Sequence, residues 1–325
     1  MRLRRTLAIP AAVCALLLIC VLSLAIGALP LNPTAVWHGL TDPASTAYPV
    51  VHQLRLPRTL LGLLAGTALG LAGAVMQALT RNPLADPGLL GVNAGASAAV
   101  VTATALLGVG SIGGYIWFAL VGAALVSVLI YVIGGGGTST PARLALAGTA
   151  VNAALYSYVA GVELLDTDAL DRMRFWTVGS LADADPGTVA RITPFVLVGT
   201  ALALCSAKPL NALVLGDEAA TALGGRPALT RVVAICAIVL LCGSATAACG
   251  PIVFVGLMIP RLAARITGPD LRWVLPYSAV LGPVLLLGAD ILGRMLVRPS
   301  ELEVGILTAV IGGPVFLLTV TGRRA

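Results

Sequence analysis

A chain of 325 residues that is 58% hydrophobic and only 10% charged, with a mean hydropathy of +0.99, lies far from soluble domains, where about a quarter of residues carry charge. It reads as an integral membrane protein with no room for a soluble domain between its apolar runs. The formal charge of +6 rests almost wholly on arginine, Lys208 being the only lysine; in a membrane chain it reports orientation, because basic residues are retained on the cytoplasmic side, and nucleic-acid binding is excluded.

The elements follow in chain order. After the basic start Met1–Arg5, residues 6–29 form an apolar run of about 24 residues, longer than the usual 7–15-residue core of a signal peptide, so it is read as a retained first span. Further spans are expected at 57–79, 92–109, 116–133, 143–164, 192–207, 228–248, 271–291 and 303–320. A shorter piece at 251–267 contains Pro260 and early arginines, as a broken helix would. The expectation is an all-α membrane protein of about ten transmembrane helices in a single domain, 1–325, in the cell membrane with both termini cytoplasmic. The connections that then face the cytoplasm hold the larger share of basic residues, among them Arg81, Lys208, Arg226, Arg261, Arg265 and Arg272.

Small residues recur at helical spacing in Gly62, Gly66, Gly70 and Gly73, which lets helix backbones approach closely. Acidic residues crowd the outer loop from 163 to 190, expected as a short surface helix ending at "FWTVGSL" with Trp176 at the interface. The six cysteines lie in apolar runs without CxxC spacing, and with two histidines as the only co-ligands they read as small buried hydrophobes, not a metal site.

A many-helix chain without a soluble domain is most often a transporter or a subunit of one. ATP hydrolysis would need a GxxxxGK[ST] loop to cradle phosphates, and the only lysine sits in "SAKPL". An ion-coupled carrier acting alone would need ionisable groups deep in the bundle. Asp290 is the one clear acidic candidate, and Arg294 one turn later offers a local ion pair as the alternative. A membrane enzyme finds no HExxH and no GxSxG. The work must then come from a separate subunit, docked on a cytoplasmic element. The segment 208–227 fits: it is too polar to cross, with Gly216 before the acidic start "DEAATAL" and Gly224-Gly225 as a stop. An ordinary connecting loop is the alternative.

On these residues the chain resembles the FecCD/BtuC-like permeases of type II ABC importers, which carry ferric siderophores, haem or cobalamin. "RLPRTLLGLLAGTALGLAGAVMQALTRNPLADPGLLGVNAGA" (54–96), "FWTVGSL" (175–181), "LGDEAATALG" (215–224), "GPIVFVGLMIPRLAARITGPDLR" (250–272) and "ELEVGILTAVIGGPVF" (301–316) follow in the family's order over nearly the whole chain. Arg261 and Leu271 stand where many members have histidine, and Glu303 replaces a proline.

The resemblance implies a BtuC-like fold and a permease subunit that pairs with a second copy or a paralogue. Two ATPase subunits, holding all ATP and magnesium, would dock on Leu215, Gly216, Asp217, Glu218, Ala219, Leu223 and Gly224. It implies a cytoplasmic gate of Asn82, Leu84, Thr138, Ser139 and Thr140, where a mere turn is the alternative. An extracytoplasmic substrate-binding protein would meet Arg55, Arg58 and Arg294, although Arg55 and Arg58 also suit plain snorkelling anchors. The cargo would be a small chelate, best an iron siderophore, with no cofactor or metal held by this chain.

Overall fold

The computed structural model describes residues 2–27, 32–109, 112–136, 140–297 and 300–321. They form α1 (Arg2–Ala25), α2 (Pro33–Thr41), α3 (Leu56–Thr80), α4 (Val92–Leu107), α5 (Ile112–Ile133), α6 (Pro141–Leu165), α7 (Thr167–Trp176), α8 (Pro186–Cys205), α9 (Ala207–Val214), α10 (Asp217–Ala222), α11 (Pro227–Cys249), α12 (Val255–Thr267), α13 (Leu271–Leu296) and α14 (Val304–Thr321). Among the described residues six segments are long and apolar enough to cross a bilayer: Val50–Thr80, Gly113–Ile133, Pro141–Leu165, Pro186–Cys205, Pro227–Cys249 and Leu271–Leu296. With α1, α4, α12 and α14 they make a set of ten, and α2, α7, α9 and α10 are short connecting helices.

α3 is the axis of the bundle. Its most apolar stretch is 78% buried, against 17% for α6 at the periphery. The glycine ladder explains how neighbours come so close: a Cβ on Gly66 would stand 2.5 Å from the backbone of Pro283 on α13, and one on Gly73 would overlap the carbonyl of Gly256 on α12. A mostly apolar chain gains little in lipid from hiding more apolar surface, so close packing of small residues has to supply much of the association. Polar ties assist: buried Asn93 on α4 accepts from Thr246 Oγ1 on α11 at 2.9 Å.

α12 has 13 residues, about 20 Å of helix, too short to cross about 30 Å of hydrocarbon. It starts after a non-helical stretch, 250–254, in which Phe254 takes a left-handed φ of 69°. Such backbone is tolerated at membrane depth only under protein cover. The cover is the segment after α7: Ser180 N donates to Cys249 O at 2.7 Å, and Gly305 N donates to Gly179 O at 3.0 Å. Three separated sequence blocks, 175–181, 250–254 and 301–305, thus meet, and Gly179, Gly250 and Gly305 are glycine because a Cβ at each would strike a neighbouring backbone.

Several ends differ from the sequence expectation. α8 begins at Pro186 instead of 192, because Asp185 caps it, accepting from Gly187 N at 2.7 Å and Thr188 N at 3.1 Å. Asp166 caps α7 in the same way, so part of the acidic outer loop is helix-start chemistry. Within segment 208–227 the short helix expected between Gly216 and Gly224 is α10, and a second helix that the spacing does not mark, α9, precedes it, the two turned at Leu215–Gly216, where Gly216 has φ 119°. Three cysteines expected to be buried, Cys14, Cys205 and Cys236, lie exposed on the bundle surface, where lipid rather than protein would surround them.

Candidate functional site

Two polar clusters stand at opposite ends of the bundle. The first gathers around α10. Asp217 Oδ1 accepts from Arg81 Nη2 at 2.7 Å, and Asp217 Oδ2 pairs with Arg231 at the start of α11. Arg81 is the left-handed C-cap of α3, with φ 52°. This conformation ends α3 and sends its side chain toward α10. One carboxylate therefore ties α10 both to the axial helix and to α11. The hydrogen bond from Arg231, reinforced by the charges of both arginines, holds the Asp217 carboxyl below the usual carboxylate range.

α9 anchors the pair from the other side. Its Leu210 and Leu213 are buried, and Asn211 donates to Asp270 Oδ1 at 2.7 Å and accepts from Leu271 N at 3.0 Å. Asp270 is itself the N-cap of α13, with the Arg272 guanidinium against it. These bonds, Arg272 foremost, push its carboxyl down to about 2. α9 and α10 are thus fastened to α3, α11 and α13 by Arg81, Arg231, Asn211 and Asp270. No motif in the sequence marks any of these four for the site; the one faint signal is an asparagine on the otherwise apolar stripe of "PLNALVL".

The structure brings Arg81, Thr140, Leu215, Gly216, Asp217, Glu218, Ala219 and Arg231 around one pocket of about 430 Å³. Glu218, Leu223 and Gly224 stand exposed, with Leu223 presenting 69% of its surface. Thr140 caps α6, accepting from Arg143 N at 3.4 Å. Asn82 Oδ1 accepts from Leu84 N at 2.9 Å in a tight turn, and Leu84 is 40% exposed. Neither Asn82 nor Leu84 lines the 430 Å³ pocket, and Thr138 and Ser139 lie outside the described residues. Below the turn, Asn152 of α6 donates to Gly88 O at 3.0 Å, fixing the loop that contains Pro83 and Pro87.

The second cluster lies at the far end. Asp290, fully buried, receives Arg58 Nη2 at 2.6 Å and Arg294 Nη2 at 2.5 Å. Arg58 Nη1 also reaches Glu301 at 2.5 Å. Arg294 Nη1 donates to Ser23 O and Ile26 O at 3.0 and 2.9 Å, and Arg55 Nη1 to Leu24 O and Ala25 O at 2.7 and 2.8 Å. Together they satisfy carbonyls at the C-terminus of α1, where cations are favoured. The outer arginines are therefore not solvent-facing side chains: Arg55, Arg58 and Arg294 are buried, and snorkelling describes none of them. What they expose is one wall of a pocket of about 210 Å³ shared with Glu301 and Leu54. Both oxygens of Asp290 are occupied by guanidinium groups, which favours the local pair over an ion site.

Comparison with known proteins agrees with this geometry. The profile described as the FecCD transport family matches residues 15–321. The chain is 47% identical to the ferric enterobactin transport system permease protein FepD of Escherichia coli (strain K12), over 97% of this chain and 95% of that protein. It is 39% identical to the hemin transport system permease protein HmuU of Yersinia pestis, over 92% and 90%. A solved structure described as an inward-facing conformation of a metal-chelate type ABC transporter superposes with a TM-score of 0.84 at 28% identity, covering 96% of this chain and 97% of that one. With a family match over residues 15–321 and sequence agreement across nearly the full length, this chain belongs to the FecCD transport family.

Proposed function

We propose that this chain is the membrane-spanning permease subunit of an ATP-binding cassette importer, and that its cargo is an iron-siderophore chelate. The observation that carries the reading is the 47% identity, along 97% of the chain, to a ferric enterobactin permease; the hemin permease stands lower, at 39%. In this reading the subunit works in the cell membrane beside a second permease, identical or paralogous, with α9 and α10 toward the cytoplasm. Two separate ATPase subunits supply the work, and an extracytoplasmic binding protein delivers the chelate.

The mechanism follows from the fastenings. A push on α10 reaches α3 and α11 through Asp217 and, through α9 and the Asn211–Asp270 contact, reaches α13. α3 ends at the "RNPLA" turn, so its displacement would move Asn82 and Leu84, the proposed gate with Thr140 and with Thr138 and Ser139. No bond in the cargo changes. The exposed Glu218 is the group offered to a partner, whereas Asp217 is held within the chain. In cells lacking their own ferric enterobactin permease but retaining its other components, this chain is expected to restore uptake of radiolabelled ferric enterobactin. Glu218→Lys is expected to reduce that uptake at least tenfold with the protein still folded. Unchanged uptake by the variant would remove α10 from the coupling role, and no uptake by the unaltered chain would remove the cargo.

Docking of the binding protein is proposed at the 210 Å³ pocket, where Arg55, Arg58 and Arg294 offer positive charge to a carboxylate. Arg55 is the informative position, because Arg58 and Arg294 both neutralise Asp290. Arg55→Glu is expected to weaken binding-protein affinity at least tenfold at low salt, as read by surface plasmon resonance. Equal affinity would assign the arginines to the fold alone.

A further inference from the structure

Between α1, α12, α13 and α14 runs a groove of about 560 Å³ to which nothing above gives a role. Ile19, Leu257, Leu285 and Leu292 are typical of its aliphatic wall, and among the described residues its only charged lining residues are Arg261 and Arg265 of α12. Four residues apart, these two share a helix face. Among the described residues no aspartate or glutamate lines the groove, and Arg265 is exposed and forms no ion pair.

The polarity of the groove has a direction. Arg265 lies two residues from the end of α12, beside the turn into α13 that is tied to α9. Along α12 the lining runs from Arg265 back to Leu257, about 12 Å of helix, and along α13 it continues from Leu281, about 15 Å from the α9 end of that helix, to Leu292. A positive mouth at the α9 end and an apolar trough leading away from it match the two parts of one molecule.

We propose that the groove is a site for an anionic phospholipid of the cytoplasmic leaflet, with the phosphate on Arg261 and Arg265 and an acyl chain along the apolar face of α12 and on toward α13. The leaflet assignment rests on the orientation given in the proposed function; the site does not. Guanidinium groups pair well with phosphate, and basic pockets between transmembrane helices select acidic headgroups. A zwitterionic lipid would cover the same trough, but its ammonium group would face two fixed positive charges. The lipid would brace α12, a helix too short to span by itself, against α1 and α13.

The test uses the full-length protein, delipidated in mild detergent, titrated separately with phosphatidylglycerol and phosphatidylcholine and read by native mass spectrometry. Retention of phosphatidylglycerol at least fivefold over phosphatidylcholine is expected. Arg261→Gln with Arg265→Gln should bring the ratio to about one. Gly288→Phe should lower retention of both lipids while leaving the arginines in place, since a Cβ there meets only the Ile19 side chain, at 3.9 Å. No preference in the unaltered protein, or a preference unmoved by either variant, overturns the site. If Gly288→Phe breaks an oligomer and leaves lipid retention unchanged, the groove is a subunit interface and the proposal fails. The readout needs neither ATP nor cargo, so failed iron uptake and failed lipid retention are separate results.

Discussion

Replacing Asp290 with alanine is expected to destabilise the protein by about 3–5 kcal/mol, the cost of leaving buried guanidinium charge without its partner. Asp290 is fully buried, Arg294 is 2% exposed, and both point their charges at one another, with Arg58 as a third member. Loss of the carboxylate would leave Arg58 with Glu301 alone and Arg294 with carbonyls and a hydroxyl. Asp290→Asn keeps the shape and loses the charge, so it is expected to recover little of the loss. Glu301→Gln is the control: its carboxylate is 28% exposed, and a partly solvated pair contributes about 1 kcal/mol or less. Thermal unfolding in detergent, followed by tryptophan fluorescence, measures all three. An Asp290→Ala protein as stable as the original would mean that water reaches the arginines and that the cluster is open.

Gly73→Ala is expected to cost about 3 kcal/mol or to abolish accumulation of folded protein. Overpacking usually costs about 1–3 kcal/mol when side chains can yield. Here the added methyl meets the Gly256 backbone carbonyl, and α3 and α12 cross at the centre of the bundle with no rotamer to adjust. Gly313→Ala is the matched comparison, because nothing lies within 4 Å of a Cβ there. In a helix that change is expected to be neutral or stabilising by up to about 1 kcal/mol. Similar unfolding temperatures for the two variants would show that α12 shifts freely along α3, contrary to the packing described.

The ladder at Gly62, Gly66, Gly70 and Gly73 was legible because its spacing is local, and so was α10, framed by Gly216 and Gly224. Other features had no such signal. α2 and the π-helical turn Val50–Arg55 that prolongs α3 outward follow no apolar period of their own. Arg81 looked like a positive-inside residue of a turn; only its left-handed backbone directs it to Asp217. The outer arginines looked exposed because they sit at the ends of apolar runs, where charged side chains usually reach water. The burial of Arg58 and Arg294 depends on the carboxylate of Asp290, 232 residues away from Arg58, and Arg55 is held by carbonyls of α1.

From the sequence alone came the membrane class, the number of spans and where most helices begin and end, because apolar length, proline, glycine and capping residues act within a turn or two of themselves. Tertiary structure decided the partners of the charges, the cover over the broken helix at 250–254 and the two-helix form of 208–227. Those are set by which distant backbones approach closely enough to exclude lipid and water, and in a chain so uniformly apolar, hydrophobic pattern does not distinguish one neighbour from another.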